Sequence, residues 1–375
     1  MSEPFFEKSD VFTARTHGFF TYRIPTIVVT QKGTILAFAE ARVDNTSDWA
    51  EISIVMRRSL DNGNSWGPLI KVASNEKETT HNMVAIISND SNILHFLYCV
   101  GYKRIFYMES NDDGQSFSKP KEINQIFEEF KPDFKYKVKP KYKGKYRIIA
   151  PGPGHGIQLT NGRLIVPVWM AKRHIHRPSV ISVIYSDDRG KTWKRSEVIL
   201  GKLENPSETV AVQLSDGSVL LNIRNESKIC RRAISISKDG ISNWSEPVFD
   251  DTLLEPVCFG SIIRLTSKEN EDKNRILFVN PDSIEGEPTE LFNLRPRQNL
   301  TVKLSYDECK TWPVSKSIEP GSSGYADIAV GKDYTIYCLY ERDCPIEKDF
   351  DTTAMTIARF NLEWLTNNKD KIILK

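Results

Sequence analysis

Short stretches of alternating hydrophobic and polar residues recur along the chain and predict β-strands. Clear examples are residues 51–57, 181–185 and 300–304. Alternation with a period of two places successive side chains on opposite faces of an extended strand. One short helix is predicted at residues 362–367, where apolar side chains share one side. The pattern therefore predicts a nearly all-β protein in which helix is scarce.

Each of these strands runs into an eight-residue motif that occurs five times. The copies share the pattern Ser-x-Asp-x-Gly-x-x-aromatic and occupy residues 59–66, 110–117, 186–193, 237–244 and 305–312. Two copies are looser, because Gly240 comes one position early and Cys309 stands where glycine belongs. Ser and Asp side chains cap a tight turn, glycine permits positive φ, and the aromatic ring packs beneath. Each copy therefore predicts a hairpin turn.

The spacing of the motif predicts the architecture. Its aromatic positions are separated by 51, 76, 51 and 68 residues, and a unit of about 50 residues holds four short strands. Four-stranded units repeated around an axis form a β-propeller, in which the longer gaps hold insertions or a unit whose turn has lost the motif. Since no linker rich in Pro, Ser or Gly divides the chain, residues 1–375 are predicted to form one domain.

Composition narrows the classes of function. The 375 residues include 51 basic and 49 acidic side chains, so a net charge of +2 argues against a dedicated nucleic-acid binder. The 39% hydrophobic and 27% charged shares fit a globular protein, and no window approaches the ~20 apolar residues of a membrane span. The acidic first residues do not resemble a secretory signal. A cytoplasmic location is expected, with a secreted or lysosomal one as the alternative.

Cysteine and histidine give little indication of a metal or redox site. The six cysteines are scattered without a CxxC pair, which favours buried, reduced thiols. His174 and His176 flank Ile175, but no acidic residue or cysteine lies nearby at ligand spacing, so a polar loop is favoured over a metal site. No metal or organic cofactor is expected.

The repeated motif resembles the Asp box of sialidases, and other segments extend the resemblance over nearly the whole chain. Residues 22–25 (Tyr-Arg-Ile-Pro), 38–42 (Phe-Ala-Glu-Ala-Arg) and 151–159 are similar to further signatures of that family. The sequence is therefore identified as resembling the exo-α-sialidases (neuraminidases) of glycoside hydrolase family 33, the BNR-repeat family. The resemblance implies a six-bladed β-propeller and a retaining exo-α-sialidase that hydrolyses terminal α-linked sialic acids of glycoproteins, glycolipids or oligosaccharides.

The substrate class explains the charged residues that the resemblance brings together. A sialic acid bears a carboxylate on its anomeric carbon, and the planar fork of arginine suits that anion. By resemblance, a triad of arginines that holds this carboxylate is placed on Arg23, Arg224 and Arg297. Arg295 is the alternative for the third position. Glu341 would orient Arg23 through a salt bridge, and Arg42 would help to hold the carbohydrate or the loop that follows Arg42.

The resemblance also places the reacting groups. The carboxylate of the sugar would repel a carboxylate nucleophile, whereas a neutral tyrosine avoids this repulsion. Sialidases are known for using a tyrosine where most glycosidases use a carboxylate. Tyr325 would be the nucleophile and Glu208 its base, since a phenol of pKa about 10 needs one. Asp48 is placed as the general acid and base, with Asp44 as the alternative. Three residues occupy segments that approach the sugar in relatives, although packing explains them equally well, namely Asn82, Met83 and Trp169.

One run departs from the family. Every odd position from Lys135 to Arg147 is basic, so one face of an extended ribbon would carry the charge. A solvated edge whose lysines prevent strand addition is the favoured interpretation. The alternative is a contact with polyanionic sialoglycans or another acidic surface.

Three other functions remain open on this scaffold. Two are glycosidases, one for a related nonulosonic acid such as the deaminated sugar and one that releases an anhydro product. The third is a sialoglycan-binding propeller without catalysis, against which the joint presence of Asp48, Glu208 and Tyr325 argues.

Overall fold

The computed structural model describes residues 3–76, 78–130, 146, 148–172, 175–290 and 293–375, without the side chains of residues 128–130. All the basic residues of the run from Lys135 to Arg147 lie outside this part of the chain, and so does His174. The contact with polyanions therefore stays a prediction.

The first three units of the fold are antiparallel sheets of four main strands. The first sheet contains β2 (Thr21–Val29), β3 (Ile35–Arg42), β4 (Ile52–Ser59) and β5 (Ile70–Ala73). The second contains β6 (Thr80–Ile87), β7 (Leu94–Val100), β8 (Arg104–Ser110) and β9 (Lys121–Glu122), with the short β11 (Gly154–His155) added in parallel to β6. The third contains β10 (Ile148–Pro151), β13 (Leu164–Ala171), β14 (Ser179–Ser186) and β15 (Lys194–Arg195), with β12 (Ile157–Gln158) also on β13.

The remaining strands form one separate four-stranded sheet and one continuous seven-stranded sheet that contains two units. The fourth sheet contains β16 (Thr209–Gln213), β17 (Val219–Ile223), β18 (Arg231–Ser237) and β19 (Val248–Leu254). The strands β20 (Ser261–Thr266), β21 (Arg275–Pro281) and β22 (Gln298–Ser305) pair in order with the first part of β23 (Val314–Val330). The second part of β23 continues into β24 (Ile336–Arg342), β25 (Ala354–Phe360) and β1 (Phe6–Thr13).

The pairing of these strands gives the predicted β-propeller. The 17-residue strand β23 pairs with β22 through its first part and with β24 through its last part, so it belongs to two successive units. Counted in this way, the described strands form six four-stranded units. The amino-terminal β1 pairs antiparallel with β25, which closes the ring by joining both ends of the chain in one sheet.

The five Asp-box turns all join the third and fourth strands of a unit. In the first copy, the backbone N–H of Gly63 donates to Ser59 Oγ, and the Asp61 carboxylate accepts from the N–H and hydroxyl of Ser65. In the third copy, Gly190 has a φ of +82°, and a Cβ there would lie 2.3 Å from Tyr107 Oη. Cys309 adopts the same left-handed region, with a φ of 66°, and buries its thiol. The predicted hairpin turns are therefore formed even where glycine is absent.

The hydrogen bonds of the Asp-box turns predict how the free energy of unfolding depends on pH in acid. Hydrogen bonds from the hydroxyls of Ser65 and Ser116 lower the pKa values of Asp61 and Asp112 to about 2. Because the folded-state pKa is lowered, the stabilisation is present above the unfolded value near 4 and is lost as the pH falls towards 2. We expect Ser65→Ala to reduce the difference in unfolding free energy between pH 5 and pH 3, measured by urea titration. An unchanged difference would contradict this origin.

The carboxyl-terminal helix forms where the sequence predicts it. Helix α1 (Leu362–Thr366) begins at Asn361, whose side chain accepts a hydrogen bond from the backbone N–H of Trp364. It ends one residue earlier than predicted because Asn367 is in the left-handed region. All six cysteines are buried. In the described part of the chain, no helix is long and apolar enough to cross a membrane.

Candidate active site

One cavity at the end of the propeller gathers most of the predicted site residues. Arg23 lies near the start of β2 and Arg42 at the end of β3, while Arg224 directly follows β17. Adjacent antiparallel strands bring these positions to the same edge of their sheets. The predicted residues that line the cavity are Arg23, Arg42, Asp48, Asn82, Trp169, Glu208, Arg224, Arg297 and Tyr325.

The three predicted triad arginines converge on one phenol ring. The guanidinium carbons of Arg23, Arg224 and Arg297 lie 5.7, 5.7 and 5.2 Å from the ring centroid of Tyr325. Arg23 pairs with Glu341 and Arg224 with Glu208, whereas Arg297 donates from Nη2 to the Val257 carbonyl at 2.8 Å. Within the described chain, the buried Nε atoms of Arg224 and Arg297 have no hydrogen-bond partner. The cavity is therefore suited to an anion.

Glu341 fixes the first arginine and the backbone of the tyrosine together. Its carboxylate accepts from Arg23 Nε at 3.1 Å and Nη2 at 3.2 Å. It also accepts from the backbone N–H groups of Ile24 at 2.9 Å and Tyr325 at 3.0 Å. Burial raises the pKa of Glu341, but the charge of Arg23 and these N–H donors outweigh it, so the net pKa is lowered. The salt bridge predicted between Glu341 and Arg23 is present.

Strained backbone accompanies two of the three arginines. Ile24 and Val257 have φ values of 58° and 63°, a region that β-branched residues rarely adopt. Ile24 directly follows Arg23 and donates to Glu341, and Val257 supplies the carbonyl that binds Arg297. Such strain persists only when the surrounding structure fixes it. Here it places two of the groups that orient the arginines.

Tyr325 and Glu208 form the contact that a nucleophile and its base require. The phenol donates to Glu208 Oε2 at 2.6 Å, and Arg224 contacts both side chains. Burial raises the pKa of Tyr325 well above its ordinary value, and the charge of Glu208 adds to this effect, although Arg224 opposes it. The free site therefore holds a neutral phenol whose proton is directed at a carboxylate.

Asp48 lies in the loop after β3 and lines the same cavity. Its side chain is 44% exposed, and Oδ1 is 2.9 Å from Arg42 Nη2. Although solvent reaches part of the side chain, the cavity walls around the carboxyl desolvate it, which by itself raises the pKa of Asp48. The charges of Arg42 and Arg23 outweigh this effect, so the pKa is lowered. Arg42 also binds the loop through the Thr46 carbonyl. Asp44 is exposed and lies outside the group of described residues that line the cavity, so the geometry favours Asp48.

Several residues that line the cavity were not predicted from the sequence, among them Glu40 and His176. Glu40 is buried, contacts Arg42 at 3.0 Å and accepts the Asn82 N–H at 2.8 Å. Burial raises the pKa of Glu40 to about 7. Its position two residues before Arg42 on β3, hence on the same strand face, is the signal that would have indicated it. His176 lies in a loop, as predicted, and it also lines the cavity, with its ring 5.2 Å from that of Trp169.

Of the three residues predicted for the walls of the pocket, two line the cavity and one packs in the core. Asn82 and Trp169 line the cavity, whereas Met83 is fully buried in the central hydrophobic core. For Met83 the packing alternative is the one that the structure shows. The described residues contain no group of three or more His, Cys, Asp or Glu side chains that could hold a metal ion.

Comparisons with known proteins identify the family of the chain. A family profile for the BNR repeat-like domain matches residues 33–338. The chain belongs to the BNR repeat-like family. Over 388 residues it is 29% identical to a sialidase of Micromonospora viridifaciens, covering 97% of this chain and 55% of that protein. It is 26% identical to an exo-alpha-sialidase of Aspergillus fumigatus, covering 93% and 86%. The BNR repeat-like chain thus spans little more than half of the first relative and most of the second.

Solved structures support the same fold. The Hadza microbial sialidase Hz136 aligns with a TM-score of 0.79 at 22% identity, covering 96% of this chain and 69% of that one. A leech intramolecular trans-sialidase aligns with a TM-score of 0.77 at 15% identity, covering 96% and 71%. The predicted resemblance of this BNR repeat-like protein to sialidases is confirmed, and so is its predicted β-propeller fold.

The two candidates for the third arginine of this BNR repeat-like site make a matched pair for mutation. Arg295 donates to the carbonyls of Ile284 and Gly286 and lies outside the group of described residues that line the cavity. We expect Arg297→Lys to lower kcat/KM for an aryl sialoside about 10- to 100-fold, because lysine lacks the planar fork. Arg295→Lys should leave kcat/KM within about twofold. The reverse ranking would move the third position to Arg295.

Proposed function

We propose that the protein is a retaining exo-α-sialidase that hydrolyses terminal α-linked sialic acids of glycoconjugates. The observation that carries this proposal is the convergence of Arg23, Arg224 and Arg297 around a phenol that donates to Glu208. The names of its relatives, sialidase and exo-alpha-sialidase, support it.

The arrangement fits a double-displacement reaction. The sugar carboxylate would bind the arginine triad, which leaves Tyr325 facing the anomeric carbon. Glu208 would take the phenolic proton as the new bond forms, and Arg224 would stabilise the charge that passes between them. Asp48 would protonate the departing glycosidic oxygen and then activate the water that releases the sugar from Tyr325. Two inversions at the anomeric carbon give retention.

A neutral nucleophile suits this site on electrostatic grounds. A second carboxylate close to the anomeric carbon would repel the substrate carboxylate, whereas the phenol is uncharged until its proton moves to Glu208. The raised pKa of Tyr325, caused chiefly by burial, keeps it protonated in the free site. The same burial makes the phenolate a strong nucleophile once it forms beside Arg224.

Proton NMR of the first product tests the proposal. We expect an aryl α-sialoside to release the α-anomer of the free sugar, which then converts to the β-anomer. A β-anomer released first would exclude retention, and an anhydro sugar would show internal attack instead of hydrolysis. The aryl glycoside of the deaminated sugar, assayed in parallel, separates the two substrate classes. Binding of a sialoside without turnover would leave a sialoglycan-binding propeller as the function.

A further inference from the structure

A buried histidine and aspartate face each other where strands of several units meet. His155 on β11 and Asp327 on β23 are 8% and 0% exposed, and His155 Nδ1 lies 2.7 Å from Asp327 Oδ1. The other ring nitrogen, Nε2, lies 3.1 Å from the carbonyl oxygen of Ile262 on β20. The second Asp327 oxygen accepts the Ile27 N–H of β2 at 2.9 Å. The pair therefore ties four strands of different units together.

The contacts of the ring determine its protonation state. Both nitrogens of His155 face oxygen atoms that are acceptors, one a carboxylate and the other a carbonyl. A neutral imidazole carries a single N–H and satisfies one of them, whereas the imidazolium donates to both. Burial lowers the pKa of His155, but the charge and hydrogen bond of Asp327 outweigh it, so the pKa is raised. The geometry and the electrostatics both indicate a cationic ring.

The pair lies directly behind the nucleophile. Asp327 is two residues beyond Tyr325 on β23, so alternation places both side chains on the same face of the strand. Ser261 Oγ also donates to Asp327 at 2.7 Å and accepts the Ile328 N–H at 3.3 Å, which fixes the backbone of β23. Gly154, next to His155, packs closely against Phe259, since a Cβ added to it would lie 2.7 Å from that ring. The centroid of the Phe259 ring lies 5.5 Å from that of the Tyr325 ring. A shift of His155 would therefore reach Tyr325 by two routes.

We propose that protonated His155 is a positioning residue which, through Asp327, holds the Tyr325 strand so that the phenol meets Glu208. This role rests on the proposed function for its effect on turnover. His155 also lines a second cavity, away from the arginine triad, whose charged residues are Arg264, Glu269 and Glu271. Asp327 is the charged group in direct contact with the ring. The proton of His155 can thus exchange with solvent without passing through the sugar site.

His155→Gln tests the proposal against a matched variant, His95→Gln. His95 is also buried and uses both ring nitrogens, but its partners are the hydroxyls of Ser88 and Tyr107, which serve a neutral ring. For His155→Gln we expect kcat per folded molecule to fall about 10- to 100-fold, with KM within about threefold. His95→Gln should keep both constants within about threefold. An unchanged kcat in folded His155→Gln would overturn the proposal.

Two further measurements test the proposed role of His155 even if His155→Gln folds poorly or the protein hydrolyses no sialoside. Nitrogen NMR of the wild-type protein should show one histidine with both ring nitrogens protonated at pH 7.5, and this signal should be absent in Asp327→Asn. A neutral His155 at that pH would overturn the proposal. Ser261→Ala, which removes one donor to Asp327, should lengthen the 2.6 Å contact between Tyr325 and Glu208 in a crystal structure. An unaltered contact would also count against it, whereas absent hydrolysis alone would reject only the proposed function.

Discussion

Tyr325→Phe is expected to lower kcat for an aryl sialoside at least about 10³-fold, because it removes the oxygen that would form the proposed covalent intermediate. The change leaves the ring that packs against Phe259 and the three guanidinium groups in place. Binding of the free sugar, measured by calorimetry, should therefore remain within about tenfold of the wild-type value. Loss of turnover with retained binding would separate a catalytic role from a structural one.

Tyr340→Phe is the matched control for this experiment. Tyr340 is also fully buried, and its phenol also donates to a carboxylate, Glu319, at 3.0 Å. It lies on β24, next to Glu341 in sequence but on the opposite strand face. We expect kcat to stay within about twofold in this variant. Comparable losses in Tyr325→Phe and Tyr340→Phe would mean that a general loss of packing, rather than a missing nucleophile, explains the effect.

The parts of the fold that were predictable from sequence are held by local contacts. Each Asp box closes on itself through hydrogen bonds between residues two to four positions apart, as Ser59, Asp61 and Ser65 show. Such contacts leave a mark in any short window of sequence. The continuous strand β23 left no such mark, because residues 321–324 (Gly-Ser-Ser-Gly) have the composition of a loop. The structure requires Gly324 for another reason, since a Cβ there would lie 2.1 Å from Glu341 Oε2.

The site was predictable only through resemblance. Arg23, Arg224 and Arg297 are separated by 201 and 73 positions, and nothing in their local sequence indicates that they meet. His176 shows the limit of reasoning from neighbours in the chain. A short window shows a polar loop there, but its ring packs near Tyr102 and Trp169, which come from other strands and loops. The convergence of distant residues depends on the closure of the propeller, which sequence patterns alone do not specify.

Asp48→Asn is expected to affect substrates according to their leaving groups. An alkyl-linked sialoside needs a proton on the departing oxygen, so its kcat/KM should fall about 10²- to 10⁴-fold. A nitrophenyl sialoside releases a stable anion without help and should lose about tenfold or less in the step that forms the intermediate. The comparison requires rates of both substrates with the same enzyme preparation. Asp44→Asn, which alters the other candidate in the same loop, should leave both rates within about twofold.

The electrostatics of the loop oppose the proposed acid role of Asp48 in the free site, and a bound substrate would reduce this opposition. In the free site, the charges of Arg42 and Arg23 outweigh burial and lower its pKa, so the carboxyl is ionised at neutral pH. A substrate carboxylate bound to Arg23 would neutralise part of that charge and raise the pKa of Asp48. We therefore expect the alkaline limb of kcat to lie at higher pH than that of kcat/KM, and Asp48→Asn to remove this difference. Identical limbs in the wild-type enzyme would mean that the substrate does not supply the shift.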